Sequence, residues 1–247
     1  MRQLDIYIEI SGQEYLAGSI RGEDPSDAVF SYDSNFLDHG KAISVRLPLR
    51  KEAFSPDETR CFFEGLLPEG FSRKTVASWL RADEEDYLTI LSELGRECLG
   101  AIRVEENGRC LEEEPQYVLL SLGDVKRLAA EGVSKSTEIL VESHLSLTGA
   151  SGKVGLFFSD EKWYQPFGTA PSTHILKQSH IRFRHLVENE QLVLRTAGKL
   201  GLSTVESFVV HTGGFEESDI LLATKRYDRD LTHSQKKIGE MPCPLRL

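Results

Sequence analysis

The residues best placed to do chemistry fall between Ser146 and Glu190. Ser146-Leu-Thr-Gly149-Ala150-Ser151-Gly152-Lys153 combines two glycines, three hydroxyls and a lysine. Lacking side chains, Gly149 and Gly152 let backbone N–H groups approach an anion closely. Ser146, Thr148 and Ser151 add hydroxyl donors, and Lys153 adds charge. Lying between the apolar stretch 145–147 and a strand at 154–158, the glycines read as a hairpin-like turn, and an ordinary tight turn would use the same residues, so the loop alone decides little. Thr173-His-Ile-Leu-Lys177 reads as a strand with Thr173, Ile175 and Lys177 on one face, which aims Lys177 either at the loop or into solvent. From Leu186 apolar residues recur at Val193, Leu194, Ala197 and Leu200, and Gly201 ends the helix. Glu190 falls inside that stripe. A carboxylate facing inward is costly unless a cation answers it, and Lys177 is the economical partner. Glu188, nearer the edge of the stripe, competes for the role. Glycine loop, strand lysine and helical carboxylate would together make half of a nucleotide-phosphate site.

The rest of the chain must hold that half-site in place. With 247 residues there is room for one large or two small domains. The net charge of -10 argues against bulk electrostatic binding of DNA or RNA, and no apolar run reaches the roughly 20 residues of a membrane span. The N-terminus reads at once as an alternating strand, with no signal-peptide core, so a cytoplasmic location and no membrane association are expected. Cys61, Cys98, Cys110 and Cys243 share no metal-ligand spacing and read as free thiols.

Leu4, Ile6, Ile8 and Ile10 alternate with polar neighbours, and Ser11-Gly12-Gln13 turns that strand into a second one around Tyr15–Ile20. Phe30-Ser-Tyr32 and residues 43–49 read as further strands. Ser55-Pro56-Asp57-Glu58 is a capping box with proline at the first helical position. Ser72 and Asp83 are expected to cap two more helices, ending at Leu80 and Leu94. Leu66-Leu-Pro-Glu-Gly70 is either a helix stop or a contact surface. Leu99–Val104 is extended, and the acidic stretch 105–115 suits a boundary. Ser121 with Asp124 opens a helix closed by Gly132. Ile220-Leu-Leu-Ala223 is an apolar strand running into charged Thr-Lys225-Arg-Tyr227-Asp228-Arg. Strands and helices mix without regular alternation, so the expected class is α+β.

Lysine on a strand and glutamate on the next helix, after a glycine loop, is the arrangement of the protein-kinase small lobe. Taken together, Phe30-Ser-Tyr32, Leu66–Gly70, Leu99-Gly-Ala101, Ser146–Ala150, Ser172–Lys177, Glu188-Asn-Glu190 and Arg226-Tyr-Asp-Arg229 resemble the HipA family, serine/threonine kinase toxins of bacterial toxin–antitoxin modules. The resemblance implies a HipA-type N-terminal α+β subdomain, 1–110, packed on a kinase-like small lobe, 111–247. It implies ATP phosphates at Gly149, Ala150, Ser151, Gly152, Lys153 and Lys177, with Glu190 as ion-pair partner of Lys177. Lys225 and Tyr227 would lie at an adenine hinge and Asp228 near the ribose. Ser146 matches the loop serine that the family autophosphorylates. An aminoacyl-tRNA synthetase is the implied protein substrate, and a HipB-like DNA-binding antitoxin the implied partner, with DNA engaged only through it.

Kinases also need a catalytic-loop aspartate and asparagine and an aspartate for magnesium, all in the large lobe. Only nineteen residues follow Asp228 (247 less 228), and none forms such a segment. The sequence therefore reads as truncated, with no catalytic residue of its own, the Mg2+ ligands expected in a missing large lobe, and no phosphoryl transfer by this chain alone. The alternative is a non-catalytic binding module that engages an antitoxin or a separately encoded kinase lobe.

Overall fold

A computed structural model describes residues 1–39, 41–108, 114–149, 151–179, 184–214, 216–230 and 235–236. β1 (Arg2–Ile10) and β2 (Gln13–Gly22) form the expected hairpin. Its turn residues Ser11 and Gly12 both have positive φ, 53° and 80°, the backbone that suits the twist of a two-residue turn. β3 (Val29–Tyr32) and β4 (Ile102–Glu106) complete an antiparallel sheet in the order β3-β2-β1-β4. Strand alternation turns Leu4, Ile6 and Ile8 inward, into one core with residues of α1 (Pro56–Phe63), α2 (Gly70–Leu80) and α3 (Tyr87–Leu94).

The capping box at Ser55 and Glu58 forms as expected. Two other helix starts do not. Ser72 lies inside α2 rather than at its cap, and α3 is capped by Asp86, whose carboxylate accepts from the Thr89 N–H, rather than by Asp83. No strand forms at 43–49, where only a Ser44–Leu47 bridge is found. The buried Tyr32 hydroxyl accepts from the Ile43 N–H and donates to the Leu47 carbonyl. Backbone groups a strand would need are thus already committed to a side chain.

The second sheet is also antiparallel, with six strands. β5 (Gln116–Leu119), β6 (Lys153–Ser159), β7 (Lys162–Phe167), β8 (His174–Lys177), β9 (Ser207–His211) and β10 (Ile220–Lys225) lie in the order β5-β7-β6-β8-β10-β9. On one face α4 (Leu122–Glu131) and α5 (Val133–Glu142) bury Val125, Leu128 and Ile139 against Val154, Leu156, Leu176, Leu221 and Ala223. Alternation places Leu222 on the opposite face, where Val187 of α6 (Leu186–Lys199) meets Ile220, Leu222 and Val209. The architecture is α+β, built on two antiparallel sheets. α2 packs against α5, so the two layers are joined beside the glycine loop. Of the expected boundary segment, residues 109–113 lie outside the described residues.

Candidate functional site

The register of three strands builds the site. Lys153 on β6 lies directly opposite Lys177 on β8, and Lys177 directly opposite Leu222 on β10. Residues paired in this way share a face, which is the face α6 covers. α6 delivers Glu190, whose Oε1 accepts a hydrogen bond from Lys177 Nζ in an ion pair. Both side chains keep solvent contact, so the pair is reachable rather than sealed. Lys153 is more enclosed, and its Nζ donates to the Thr148 carbonyl at 2.7 Å. Burial, and then the Lys177 charge, push the Lys153 ammonium below its usual pKa, against the pull of Glu190 and Glu69. Two cations directly across a strand pair repel, and among the described residues only Lys177 has a carboxylate in direct ion-pair contact. A polyanion would relieve that imbalance.

The glycine loop sits beside these lysines, but not as the hairpin the sequence suggests. The turn of the β6–β7 hairpin is Asp160-Glu161, both with positive φ, 50° and 58°. The glycine loop precedes β6, and its leading segment is bonded to the N-terminal region instead. Leu145 bridges to Glu97, the Ser146 N–H donates to the Glu97 carbonyl at 2.9 Å, and the Glu69 N–H donates to the Gly149 carbonyl at 3.2 Å. Leu66–Gly70 is therefore a contact surface as well as a chain stop. Gly149, at φ 105°, adopts a backbone that side chains disfavour. Ser151 is partly exposed, Gly152 is buried, and Ala150 lies outside the described residues. Ser146 is fully buried, its Oγ donating to the Leu66 carbonyl at 2.6 Å. A phosphate has no room there, so modification of Ser146 requires its segment to leave this position first.

The expected hinge residues lie elsewhere than at the lysines. Lys225 pairs in register with His174, three residues along the strand from Lys177, which is about 10 Å at 3.4 Å per residue. Its Nζ is 2.7 Å from the exposed Glu206 carboxylate. Tyr227 is exposed. Asp228, expected beside a ribose, is instead buried in an ionic cluster that spans the chain. Arg226 and Arg229 both bond its carboxylate, as does the Gly100 N–H at 2.9 Å. The same arginines reach Glu97 Oε1, each at 3.0 Å, which also accepts from Ser172. Burial alone would raise the Asp228 carboxyl, but the Arg226 hydrogen bonds and the two guanidinium charges outweigh it and draw the group down to about 2. Glu97 carries no signal in the sequence, and Arg226 and Arg229 have no role assigned from it. The available signal was two arginines flanking an aspartate just after an apolar strand.

α6 also presents a different face from the one periodicity suggests. Val187 and Gln191 are buried, whereas Val193 and Leu200, expected in the apolar stripe, are exposed, together with Leu192. Glu190 keeps its partner because it borders the buried stripe. Among the described residues no group of three or more His, Cys, Asp or Glu could hold a metal ion. The donor set at the loop, two ammonium groups with backbone N–H, fits a polyphosphate and does not fit Mg2+. No helix among the described residues is long and apolar enough to cross a membrane.

Comparison with known proteins matches residues 8–105 to the HipA N-terminal domain and residues 145–241 to the HipA-like C-terminal domain. "Putative kinase Y4mE" of Sinorhizobium fredii is 31% identical over 223 residues, covering 87% of this chain and 52% of that protein. The "Serine/threonine-protein kinase toxin HipA" of Shewanella oneidensis is 25% identical over 198 residues, covering 80% of this chain and 44% of its own length. The chain thus spans about half the length of these two curated relatives. A solved complex of HipA, HipB and operator DNA from Shewanella oneidensis MR-1 contains a chain of the same fold, with a TM-score of 0.73 and 23% identity, covering 94% of this chain and 53% of that one.

Proposed function

The chain belongs to the HipA family, and from that premise we propose that it is the ATP-gripping portion of a HipA-like serine/threonine kinase. One observation carries this reading: Lys153 and Lys177 lie directly opposite each other on one sheet face, with Glu190 paired to Lys177 and the glycine loop alongside. Lys177 holds its head in place through Glu190 while keeping donors free for a phosphate oxygen. Lys153 and the backbone N–H groups of Gly149, Ser151 and Gly152 supply the other contacts. ATP with its magnesium would bring the transferable phosphoryl group; this chain's part is to bind and orient it. Lys225 and Tyr227 are proposed to flank the base. Asp228 is proposed to fix the hinge from behind, since arginines occupy its carboxylate. The protein substrate is proposed to be an aminoacyl-tRNA synthetase and the partner a HipB-like antitoxin. The presence of HipB in the solved complex of the structural neighbour supports the second of these.

The test is calorimetric titration with ATP and with adenosine, on the wild-type chain and on Lys177→Met. If the grip is on phosphate, adenosine binds far more weakly than ATP, and Lys177→Met weakens ATP by about tenfold to a hundredfold, the loss expected for one or two charge-assisted hydrogen bonds. Equal binding of adenosine and ATP, or unchanged ATP affinity in the variant, would remove the proposal.

A further inference from the structure

Gln178 follows Lys177 directly and is 4% exposed. Successive residues on a strand point to opposite faces; Lys177 turns toward α6 and Gln178 toward α5. There its Nε2 donates to Ser136 Oγ at 3.1 Å, and that hydroxyl in turn donates to the Gly132 and Val133 carbonyls. The same amide nitrogen rests against the glycine loop. A Cβ built on Gly152 would lie 2.1 Å from Gln178 Nε2, 2.9 Å from Val133 Cγ2 and 3.1 Å from Gln178 Cδ. Gly152 does not have positive φ, unlike Gly149. Glycine at 152 therefore answers a need for space, and the Gln178 amide fills much of that space. Oε1 of Gln178 is buried and has no hydrogen-bond partner among the described residues. A buried amide oxygen left in this state calls for an explanation, since nearly all such groups are paired.

We infer that Gln178 is a positioning residue for the glycine loop: its amide wedges between α5 and Gly152 and so sets where Gly152 stands relative to a phosphate held by the lysines. Lys177 and Gln178 then divide the work at the end of β8. One holds the anion from the front, and the other sets the loop's height from behind. The second half of this inference rests on the ATP reading; the wedge itself rests on geometry alone.

The test pairs hydrogen exchange of the nucleotide-free chain with ATP titration, on wild type, Gln178→Ala, Gly152→Ala and the double variant. Gln178→Ala should speed exchange in the peptide spanning 149–153 and weaken ATP by about tenfold, with the core of the first sheet exchanging as before. Gly152→Ala should weaken ATP by at least as much, because its new methyl strikes the amide. Adding Gln178→Ala to Gly152→Ala should recover part of that loss, a coupling that two independent defects would not show. Wild-type exchange in the loop of Gln178→Ala, or losses that simply add in the double variant, would overturn the inference. If Gly152→Ala does not fold while the double variant does, the clash is established by that rescue. Faster loop exchange in Gln178→Ala of a chain that binds no ATP would sink the ATP reading and leave the wedge standing.

Discussion

Replacing Arg226 with alanine is expected to cost about 3–5 kcal/mol of folding stability, among the largest effects available to one substitution in this chain. Arg226 is fully buried and bonds Glu97, Asp228, Ser172 and the Cys98 carbonyl. Removing it leaves two buried carboxylates facing a single arginine, Arg229. Uncompensated buried charge is far more costly than an intact pair is stabilising. Arg226→Lys should recover little, because an ammonium lacks the planar fork that spans both carboxylates. Urea denaturation measures this directly, and a loss below about 1 kcal/mol, the scale of an exposed ion pair, would contradict it. The same cluster sets a pH limit. Asp228 titrates near 2 in the fold against an ordinary 3.8, so its contribution is complete above about pH 4 and is lost as the pH falls toward 2. Wild type should lose stability steeply across that window, and Asp228→Asn, weaker at neutral pH, should lose less there.

Replacing Lys153 with methionine should move stability and binding in opposite directions. Its ammonium is disfavoured in the fold, first by burial and then by Lys177. Without an anion, that charge is a cost the methionine does not carry. Lys153→Met should therefore melt higher than wild type in the absence of nucleotide, while binding ATP about tenfold or more less tightly. The depressed pKa fixes the sign: the cost is complete at low and neutral pH and fades as the pH rises past the folded and then the unfolded value. The stability gap between the variant and wild type should accordingly narrow under alkaline conditions. A variant that is less stable than wild type at neutral pH would show that Lys153 holds the loop through Thr148 more strongly than it is penalised.

The parts of this structure that were legible in the sequence are those with local causes. The β1–β2 hairpin, the Ser55 capping box and the α4 start at Ser121 each follow from a few adjacent residues. The Lys177–Glu190 pair was also legible, although its premise was only partly right: the sequence placed Glu190 inside an apolar stripe, whereas it borders the buried one and stays partly exposed. The phase of α6 was not, since β9 and β10, which choose its buried face, come later in the chain. The glycine loop looked like a hairpin because glycines between two apolar stretches usually turn a chain. Its true partners, Glu69 and Glu97, lie some eighty and fifty residues upstream. Of the Glu97–Arg226–Asp228–Arg229 cluster only the Arg226–Arg229 run around Asp228 is local; Glu97, its other acid, lies about 130 residues from the arginines and left no trace of the pairing.

The central claim, that the glycine loop and the two opposed lysines form one phosphate grip, is tested most directly by hydrogen exchange with and without saturating ATP. The account predicts slower exchange in the peptide spanning 149–153 and at the end of β8, and loss of that protection in Lys177→Met. ATP that leaves both segments exchanging at their nucleotide-free rates would contradict it.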